Sequence, residues 1–380
     1  MDRYDYIFAG AGCAALSLVF HLNRSSLSNK TILLIDPMLN QVPNKTWCYW
    51  AEKPLAIHPK NSHFSWNTLN FKIGNEAFQK KLGNLNYFHL NSRDFYSSVL
   101  EELKKSKNIF FKTATVQGIK ESSDAATVTT LEGNQYHGNT VFDSRFAPTS
   151  FVATPYLKQV FAGWHIETSQ PLFDPTSFTM MDIQKNSASP FEFFYILPFS
   201  QTSALIELTA YSQENIDLEI LEGKLKKYLS YVLNSSEYHV SFQEMGVIPM
   251  TNKRILHSPS SRIFPIGTTA GWTKASTGYT FQKIQENSSV IVRNIENGLP
   301  TLQGINHKGR FEFYDNILLT IATKWPEKLS AVFADLFRKN SPEKVLRFLS
   351  EETSLYDEVK LLGKLNYSIF IKSLLHYESR

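Results

Sequence analysis

The first 36 residues alternate between apolar runs and short polar breaks in a regular order. The run Asp5–Ala9 predicts a strand, Ala14–Leu22 predicts a helix, and Thr31–Ile35 predicts a second strand. A turn with the sequence Gly10-Ala11-Gly12 separates the first strand from the helix, and Asp36 follows the second strand. A strand, a helix and a strand in this order predict a βαβ unit with a parallel sheet.

The rest of the chain contains helical and strand periodicities in different proportions. Apolar residues fall on one face of a predicted helix at Arg93–Lys105, and further helices are predicted at Leu218–Val232 and Thr280–Asn297. About 70 residues at the end of the chain also have a helical pattern. Short apolar or alternating runs predict strands at Ile109–Thr115, Val116–Ser122, Ala126–Leu131, Asn139–Phe142, Val160–Glu167, Phe178–Ile183, Phe191–Phe199, Ser203–Ala210 and Ile263–Gly267.

These elements predict an α/β protein with three parts. A Rossmann-like, FAD-binding domain of the split, hydroxylase-like type is expected from residues 1–150 and 240–300, because the segment Phe264-Pro265-Ile266-Gly267 again reads as a strand ending in glycine. An inserted antiparallel-sheet substrate domain is expected at residues 151–239, with residues 50–90 as an optional addition. A helical C-terminal region is expected at residues 301–380.

The glycine turn has the residues that a dinucleotide site requires. Gly10 permits a tight turn, Gly12 lets the backbone approach a pyrophosphate, and Ala15 is an accepted variant of the third glycine. Asp36 stands at a strand end about 20 residues further on, where an acid binds a ribose hydroxyl. The motif does not separate FAD from NAD, but its position at the start of a split domain favours FAD.

Composition narrows the function classes. The net charge is only +4 and no arginine-rich block is present, so we expect no nucleic-acid partner. Two cysteines without a Cys-x-x-Cys pair or a Cys/His cluster indicate a reducing compartment and no metal site. Because neither a signal peptide nor a run of roughly 20 apolar residues is present, we expect a cytoplasmic protein that is either soluble or peripherally associated with membranes. The 28 phenylalanines fit an aromatic core or a cavity for a large apolar ligand, and composition alone favours the core.

Several segments resemble lycopene cyclases, most closely the bacterial β-cyclases, over roughly residues 1–285. Together they are specific, although each alone is not. They read NKTWCYW (44–50), VFDSR (141–145), YILPFS (195–200), ALIELT (204–209), EMGVIPM (244–250) and IGTTAGWTKASTGY (266–279).

The resemblance implies a reaction and a set of site residues. Lycopene cyclases close the open ends of a C40 polyene into six-membered rings, a redox-neutral isomerisation that requires reduced FAD, for which NAD(P)H is the expected electron source. It implies Glu207 and Glu244 as the catalytic carboxylates. Further cofactor contacts are expected at Arg93, Asp143, Gly267 and Thr268, and substrate contacts at Trp47, Trp50, Tyr195, Trp272 and Tyr279.

Other interpretations of these residues stay open. From the residues alone, a solvated edge-strand acid is the more common explanation of Glu207, and the resemblance reverses this preference. Core packing explains each aromatic residue separately, and Glu351 and Glu352 read as surface acids. A flavin monooxygenase or prenyl reductase is the first alternative, although many flavin hydroxylases have Gly-Asp where this chain has Gly267-Thr268. The second is a non-catalytic flavoprotein that binds carotenoids. The partners expected are lycopene or another acyclic carotene and a membrane surface. This surface would be contacted by Phe333, Leu336 and Phe337 with Arg338 and Lys339, or by Leu346–Leu349 and Tyr367–Leu375.

Overall fold

The computed structural model describes residues 3–60, 64–145, 157–184, 191–233, 237–252, 261–305 and 309–376. The strands are β1 (Arg3–Ala9), β2 (Ile32–Ile35), β3 (Thr46–Ala51), β4 (Ser65–Trp66), β5 (Thr68–Ile73), β6 (Glu76–Lys81), β7 (Asn86–Asn91), β8 (Ile109–Lys112), β9 (Val116–Glu121), β10 (Ala126–Thr130), β11 (Gln135–Asp143), β12 (Leu157–Thr168), β13 (Phe178–Ile183), β14 (Phe191–Pro198), β15 (Ser203–Ser212), β16 (Tyr238–Met250) and β17 (Ile263–Pro265). The helices are α1 (Cys13–Asn23), α2 (Ser92–Leu103), α3 (Leu218–Val232), α4 (Phe281–Glu296), α5 (Gly309–Lys324), α6 (Leu329–Lys339), α7 (Pro342–Leu349), α8 (Leu355–Leu362) and α9 (Tyr367–Leu375).

The first sheet contains the predicted parallel strands of a Rossmann-like fold, and β10 and β9 extend it beyond β11 by antiparallel pairing. β1 pairs in parallel with β2 and β11, and β2 pairs in parallel with β8. β17 follows a long insertion in the chain and returns to pair in parallel with the end of β11. The apolar helix α1 packs against α2 and α4. The expected split α/β fold is therefore confirmed.

The second sheet is mostly antiparallel and has the order β16-β12-β15-β14-β13-β5-β6 within the described residues. β12 is central to one half, since it pairs along its length with both β15 and β16. The sequence did not predict β16, and the expected domain boundary at residue 240 falls inside this strand. Residues 240–250 therefore belong to the second sheet, because they pair with β12.

The segment between residues 46 and 91 is divided between two sheets. β5 joins the second sheet by a parallel pairing with β13, and β6 follows it at the edge. The aromatic segment around Trp47 forms β3, which pairs with β7 in a small third sheet together with β4. Within residues 50–90, β5 and β6 therefore belong to the second sheet, whereas β4 and β7 belong to the third.

The two faces of β15 point to different surroundings. Ile206 and Leu208 belong to an apolar cluster that α3 covers with Leu221 and Leu225. The opposite face carries Leu205, Glu207 and Thr209, as the strand period of two requires. This face looks toward the C-terminal helices, which contribute the apolar residues Phe311, Phe333 and Phe337 to the same core as Leu205.

The chain ends in the predicted helical region, α5 to α9. Glu351, which the sequence analysis interpreted as a surface acid, is buried. Its carboxylate lies 3.1 Å from the ammonium group of Lys274, and this ion pair compensates its charge. Lys274 also lies 3.0 Å from Asp315 on α5, so this ion cluster joins the helices to residues 267–280. In the part of the chain that the structure describes, no helix combines the length and apolar character that a membrane span requires.

Candidate active site

The glycine turn leaves the start of α1 open to a ligand. Gly10 has φ of +98°, and a Cβ atom there would lie 2.4 Å from Ser144 Oγ, so both conformation and space require glycine. Gly12 is the N-cap of α1, no side chain caps the helix, and a Cβ atom on Gly12 would meet nothing within 4 Å. Free amides beside open space at a helix N-terminus suit a phosphate group.

Asp36 lies in the same cleft as the glycine turn. Its carboxylate accepts hydrogen bonds from the amides of Ala11 (2.8 Å) and Met38 (2.6 Å), which fixes the turn relative to the end of β2. The cleft has a volume of about 80 Å³, and Gly12 and Asp36 both line it. Ala15 is fully buried one turn into α1. The structure therefore brings these residues together as the sequence predicted.

The remaining predicted cofactor residues lie in three different places. Gly267 has φ of +72° and approaches α1 so closely that a Cβ atom would lie 2.9 Å from the Cβ of Ala14. Thr268, the next residue, lines the large apolar cavity described below. Asp143 is buried in a bidentate ion pair with Arg145 (2.8 and 2.9 Å) and is not among the residues that line the cleft. Arg93 begins α2 and does not line the cleft either.

Arg93 instead lines a second, open cavity of about 1010 Å³ that we call the polar chamber. Its wall includes His89, His165 and Ser203. Thr46 lines both this chamber and the apolar cavity, so the two spaces meet at β3.

A largely apolar cavity of about 530 Å³ extends from the glycine turn to the C-terminal helices. Cys13 at the start of α1 and Thr268 line one end. Phe333 and Phe337 of α6 line the other. The cavity therefore connects the nucleotide cleft region with the inner face of the second sheet, and its aromatic wall suits a long apolar ligand.

Three of the five predicted substrate aromatics line this cavity: Trp47, Tyr195 and Tyr279. Trp50 and Trp272 do not. They line an adjoining space of about 40 Å³, which shares Cys48, Tyr279 and Phe281 with the cavity. There the indole N–H of Trp50 donates to Ser350 Oγ at 2.7 Å. A direct substrate contact of these two tryptophans stays a prediction.

Sequence reasoning missed several cavity residues. Tyr87 on β7 is one of them, and its hydroxyl lies 2.6 Å from that of Tyr279. The short run of Tyr87, Phe88, His89 and Leu90 between two asparagines is compatible with a buried strand, but a strand pattern alone does not show which cavity a residue faces. The other missed aromatic residues are Phe161, Phe193, Tyr211, Phe281, Phe333 and Phe337.

The two predicted carboxylates lie side by side across a single glycine. Gly163 on β12 is paired with Glu207 on β15 and with Glu244 on β16. A Cβ atom at Gly163 would lie 3.4 Å from the Cβ of Glu207 and 3.4 Å from the Cγ of Glu244. A glycine in the middle of a strand often marks such a close approach. Gly163 was therefore a sign of a functional site in the sequence, and the prediction did not use it.

Each carboxylate has a different set of partners. Glu207 lines the apolar cavity and accepts a hydrogen bond from Thr209 Oγ1 at 2.7 Å. Glu244 is buried, and its Oε2 accepts a hydrogen bond from the amide of Thr46 at 2.8 Å. Among the described residues, no group is hydrogen bonded to Glu244 Oε1.

Burial and mutual repulsion favour the protonated form of this pair. Burial, followed by the nearby charge of Glu244, raises the pKa of Glu207 to about 8, against smaller lowering effects of Thr209 and Lys45. Burial also raises the pKa of Glu244, although the hydrogen bond with Thr46 opposes this. At neutral pH the Glu207 carboxyl therefore holds a proton beside an aromatic cavity, and it is able to donate that proton to a bound ligand.

A carboxyl pair of this kind in an aromatic cavity beside a dinucleotide cleft matches the family that the sequence resembles. A family model described as lycopene cyclase protein matches residues 5–374, nearly the whole chain. This chain belongs to the lycopene cyclase family. The resemblance drawn from the motifs is thereby confirmed.

Solved structures show what fold this cyclase-family chain shares. A geranylgeranyl bacteriochlorophyll reductase-like protein from Thermoplasma acidophilum is 13% identical, with a TM-score of 0.63 and 99% of each chain covered. A single-residue variant of HpxO from Klebsiella pneumoniae, solved with FAD, is 13% identical with a TM-score of 0.66, covering 92% of this chain and 98% of that one. A flavoprotein/dehydrogenase from Cytophaga hutchinsonii is 11% identical with a TM-score of 0.60, covering 99% and 98%. No curated protein matches the sequence.

Proposed function

We propose that this cyclase-family protein is an FAD-dependent lycopene β-cyclase, which closes the open ends of lycopene or a related acyclic carotene into β-rings. The observation that carries the proposal is the carboxyl pair Glu207 and Glu244, which flanks Gly163 at the wall of the aromatic cavity. A ring closure of this type requires an acid, a place for a cation and exclusion of water. The cavity supports the first two, because Glu207 and several aromatic rings line it.

The catalytic roles follow from the positions of the carboxylates. Glu207, which lines the cavity, donates its proton to the terminal double bond of the polyene. The neighbouring internal double bond then attacks the cation, forming the ring bond, and a proton leaves the ring to restore the double bond. The carboxylate pair takes up this proton, so no atoms are gained or lost overall.

The aromatic side chains stabilise the positive charge between these two proton transfers. Trp47, Tyr195 and Tyr279 line the cavity, and a desolvated aromatic face stabilises a cation by up to about 2 kcal/mol. Burial raises the pKa of the Tyr195 phenol well above its usual range, so this ring stays neutral and does not trap the cation as a phenolate.

The cleft at the glycine turn fits the dinucleotide part of FAD. The uncapped start of α1 at Gly12 would hold the pyrophosphate, and the Asp36 carboxylate lies in the same cleft, where a ribose hydroxyl is able to reach it. Thr268 and Cys13 would stand nearest the flavin end, because they line the apolar cavity. Reduced FAD, with NAD(P)H as the electron source, would supply an electron-rich ring system that stabilises a neighbouring cation.

A membrane surface is the proposed source of the carotene. α8 and α9 expose large apolar side chains to an extent unusual for a water-facing surface, with Leu375 80% and Tyr356 75% exposed. Lys360, Lys364 and Lys372 lie on or between the same helices and favour an anionic lipid surface. The other exposed apolar residues of this region are Leu355, Val359, Tyr367, Ile371 and Leu374.

Co-sedimentation with phospholipid vesicles tests the membrane contact. We expect the double variant Ile371→Glu with Leu375→Glu to bind anionic vesicles at least tenfold more weakly than the native protein, since both charges would enter the apolar layer. Its FAD content should be unchanged. Equal vesicle binding of the two proteins would remove this part of the proposal.

The proposed reaction is tested by anaerobic incubation of the FAD-loaded protein with lycopene in liposomes, with and without NADPH or dithionite. The expected product has the mass of lycopene and absorbs at shorter wavelength, because each ring closure shortens the conjugated chain or twists its end. It should form only with reduced flavin. Stoichiometric consumption of NADPH, with a mass change of the polyene, would indicate a reductase or a monooxygenase instead. Bound but unchanged lycopene would indicate a carrier.

A further inference from the structure

The inner face of the second sheet has three successive rows across β15, β12 and β16. The middle row is Glu207, Gly163 and Glu244. Two residues along the strands on one side lies the row Thr209, Phe161 and Gly246, and on the other side the row Leu205, His165 and Phe242. Side chains two residues apart share a face, so all three rows lie on the same face of the sheet.

These rows face two different spaces. Thr209 and Phe161 line the apolar cavity. Leu205, His165 and Phe242 all line the polar chamber, which is the larger and more open of the two spaces. The carboxyl pair therefore stands at the boundary between an aromatic cavity and a polar space.

We propose that the polar chamber is the route by which the Glu207–Glu244 pair exchanges protons with solvent, with His165 as a relay residue in its wall. This inference rests on the proposed function, in which each ring closure takes one proton from the pair and returns another. It assigns the two sides of the pair different tasks: the polyene reacts on the apolar side, and proton exchange takes place on the polar side.

The polar groups at this boundary support the route. Glu244 is 5% exposed and its Oε1 has no protein partner among the described residues, while its Oε2 is held by Thr46, which lines both spaces. Buried carboxylate oxygens in this situation bind water or carry a proton. His89 in the chamber wall is 8% exposed and likewise has a buried ring nitrogen, Nδ1, without a described partner.

His165 continues the line of polar groups away from the carboxylates. It lies two residues along β12 from Gly163, a backbone distance of about 7 Å, so one or two water molecules would be needed between its ring and the carboxylates. Its Nε2 lies 2.6 Å from the hydroxyl of Ser203, which also lines the chamber. A chain of water, imidazole and hydroxyl would thus lead from the pair into the chamber.

Deuterium incorporation during turnover tests this route. Protium lycopene is cyclised by the reduced holoenzyme in D₂O, and the deuterium content of each new ring is measured by mass spectrometry. If the pair exchanges through the chamber between turnovers, the native protein places nearly one deuterium in each ring. Ser203→Trp removes the hydroxyl that His165 contacts and places an indole ring in the chamber wall at that point, so we expect the route to be obstructed and the proton released by one ring to be used again for the next. We expect its deuterium content per ring to fall to less than half of the native value.

Two further variants complete the experiment. Ser212→Trp is the matched control. It is the same serine-to-tryptophan substitution at the other end of β15, and Ser212 does not line either space. It should incorporate deuterium as the native protein does. His165→Leu removes the relay but leaves the chamber open. If Ser203→Trp does not bind FAD, the deuterium content of the rings is compared between His165→Leu and the native protein instead. We expect reduced incorporation from it as well, and native incorporation in both chamber variants would overturn the inference.

Infrared spectroscopy of the resting protein separates this inference from the proposed function. The carbonyl band of the protonated Glu207 carboxyl is identified as the band that is absent from Glu207→Gln. Native protein is then mixed rapidly into D₂O, and the rate at which this band moves to lower frequency is measured. Slower movement in Ser203→Trp supports the chamber route, and an equal rate contradicts it, even when no ring product forms. Absence of ring product from the native protein would contradict only the proposed cyclase activity.

Discussion

Replacing Glu244 by glutamine removes one charge of the pair while keeping its shape. Both Glu207 Cβ and Glu244 Cγ lie 3.4 Å from the same point above Gly163, so these two carbon atoms are at most about 7 Å apart. If the carboxylate charges are separated by roughly the same distance, they repel by about 2.4 kcal/mol at an effective dielectric constant of about 20, which is equivalent to a pKa difference of about 2. We therefore expect Glu244→Gln to lower the pKa of Glu207 by about 2.

The expected consequence is a shift in the pH dependence of turnover. Proton donation requires protonated Glu207, so activity is present below its pKa and is lost as the pH rises through it. For the native protein, whose Glu207 has a pKa of about 8, kcat/KM should decline around pH 8. In Glu244→Gln the decline should lie about 2 pH units lower. Lower turnover at every pH is also expected if Glu244 takes part in proton removal.

The assay is anaerobic cyclisation of lycopene in detergent micelles from pH 5 to pH 9, with reduced FAD at saturation. Glu237→Gln is the matched control, because Glu237 is an exposed acid that immediately precedes β16. Its profile should coincide with that of the native protein. A Glu244→Gln profile with an unshifted decline would refute electrostatic coupling between the two carboxylates.

Three further predictions concern the same site. Burial raises the folded-state pKa of Glu207 to about 8, so between about pH 4.5 and pH 8 the unfolded chain ionises this carboxyl while the folded protein keeps it protonated. The native protein should therefore lose up to about 5 kcal/mol of unfolding free energy over this range, and Glu207→Gln should lose less. Equal slopes of melting temperature against pH for the two proteins would contradict this. Gly163→Val places methyl groups between the carboxylates, so we expect turnover to fall more than tenfold with FAD content unchanged, and native turnover would disprove the role of this gap. Gly12→Val points into open space, so circular dichroism should show a native fold while FAD absorbance is lost; retained FAD would remove the nucleotide from this cleft.

The sequence predicted those features that depend on local pattern. The order of strand, glycine turn, helix, strand and acid is a local signal, and Gly12 and Asp36 do share one cleft. The alternation along β15 was equally informative, because strand geometry requires Glu207 and Thr209 to share a face, and both line the apolar cavity.

The sequence alone did not predict features that depend on the register between strands that are distant in the chain. Only the pairing of β12 with both β15 and β16 brings Glu244 next to Glu207 across Gly163. β16 itself was missed although Tyr238, Val240 and Phe242 alternate with exposed polar residues. The alternation reverses at Glu244, because this acid is buried while Met245 and Val247 are exposed.

Some residues that were predicted to contact the cofactor or the substrate have other neighbours in the structure. Asp143 forms an ion pair with Arg145, two residues later in the same motif, rather than lining the cleft. Trp50 and Trp272 lie in aromatic motifs, yet they face a smaller space near Ser350. A motif shows that aromatic residues are needed in a region, but the packing of the helices decides which of them face the cavity.

The central claim is that the Glu207 carboxyl protonates a polyene in the aromatic cavity. The most direct test compares Glu207→Gln with the native protein and with Glu237→Gln in anaerobic cyclisation with reduced FAD, after flavin absorbance and lycopene binding have been verified for each. We predict that Glu207→Gln binds both molecules and forms no rings, while the other two proteins form them at the same rate. Ring formation by Glu207→Gln at the native rate would contradict the account.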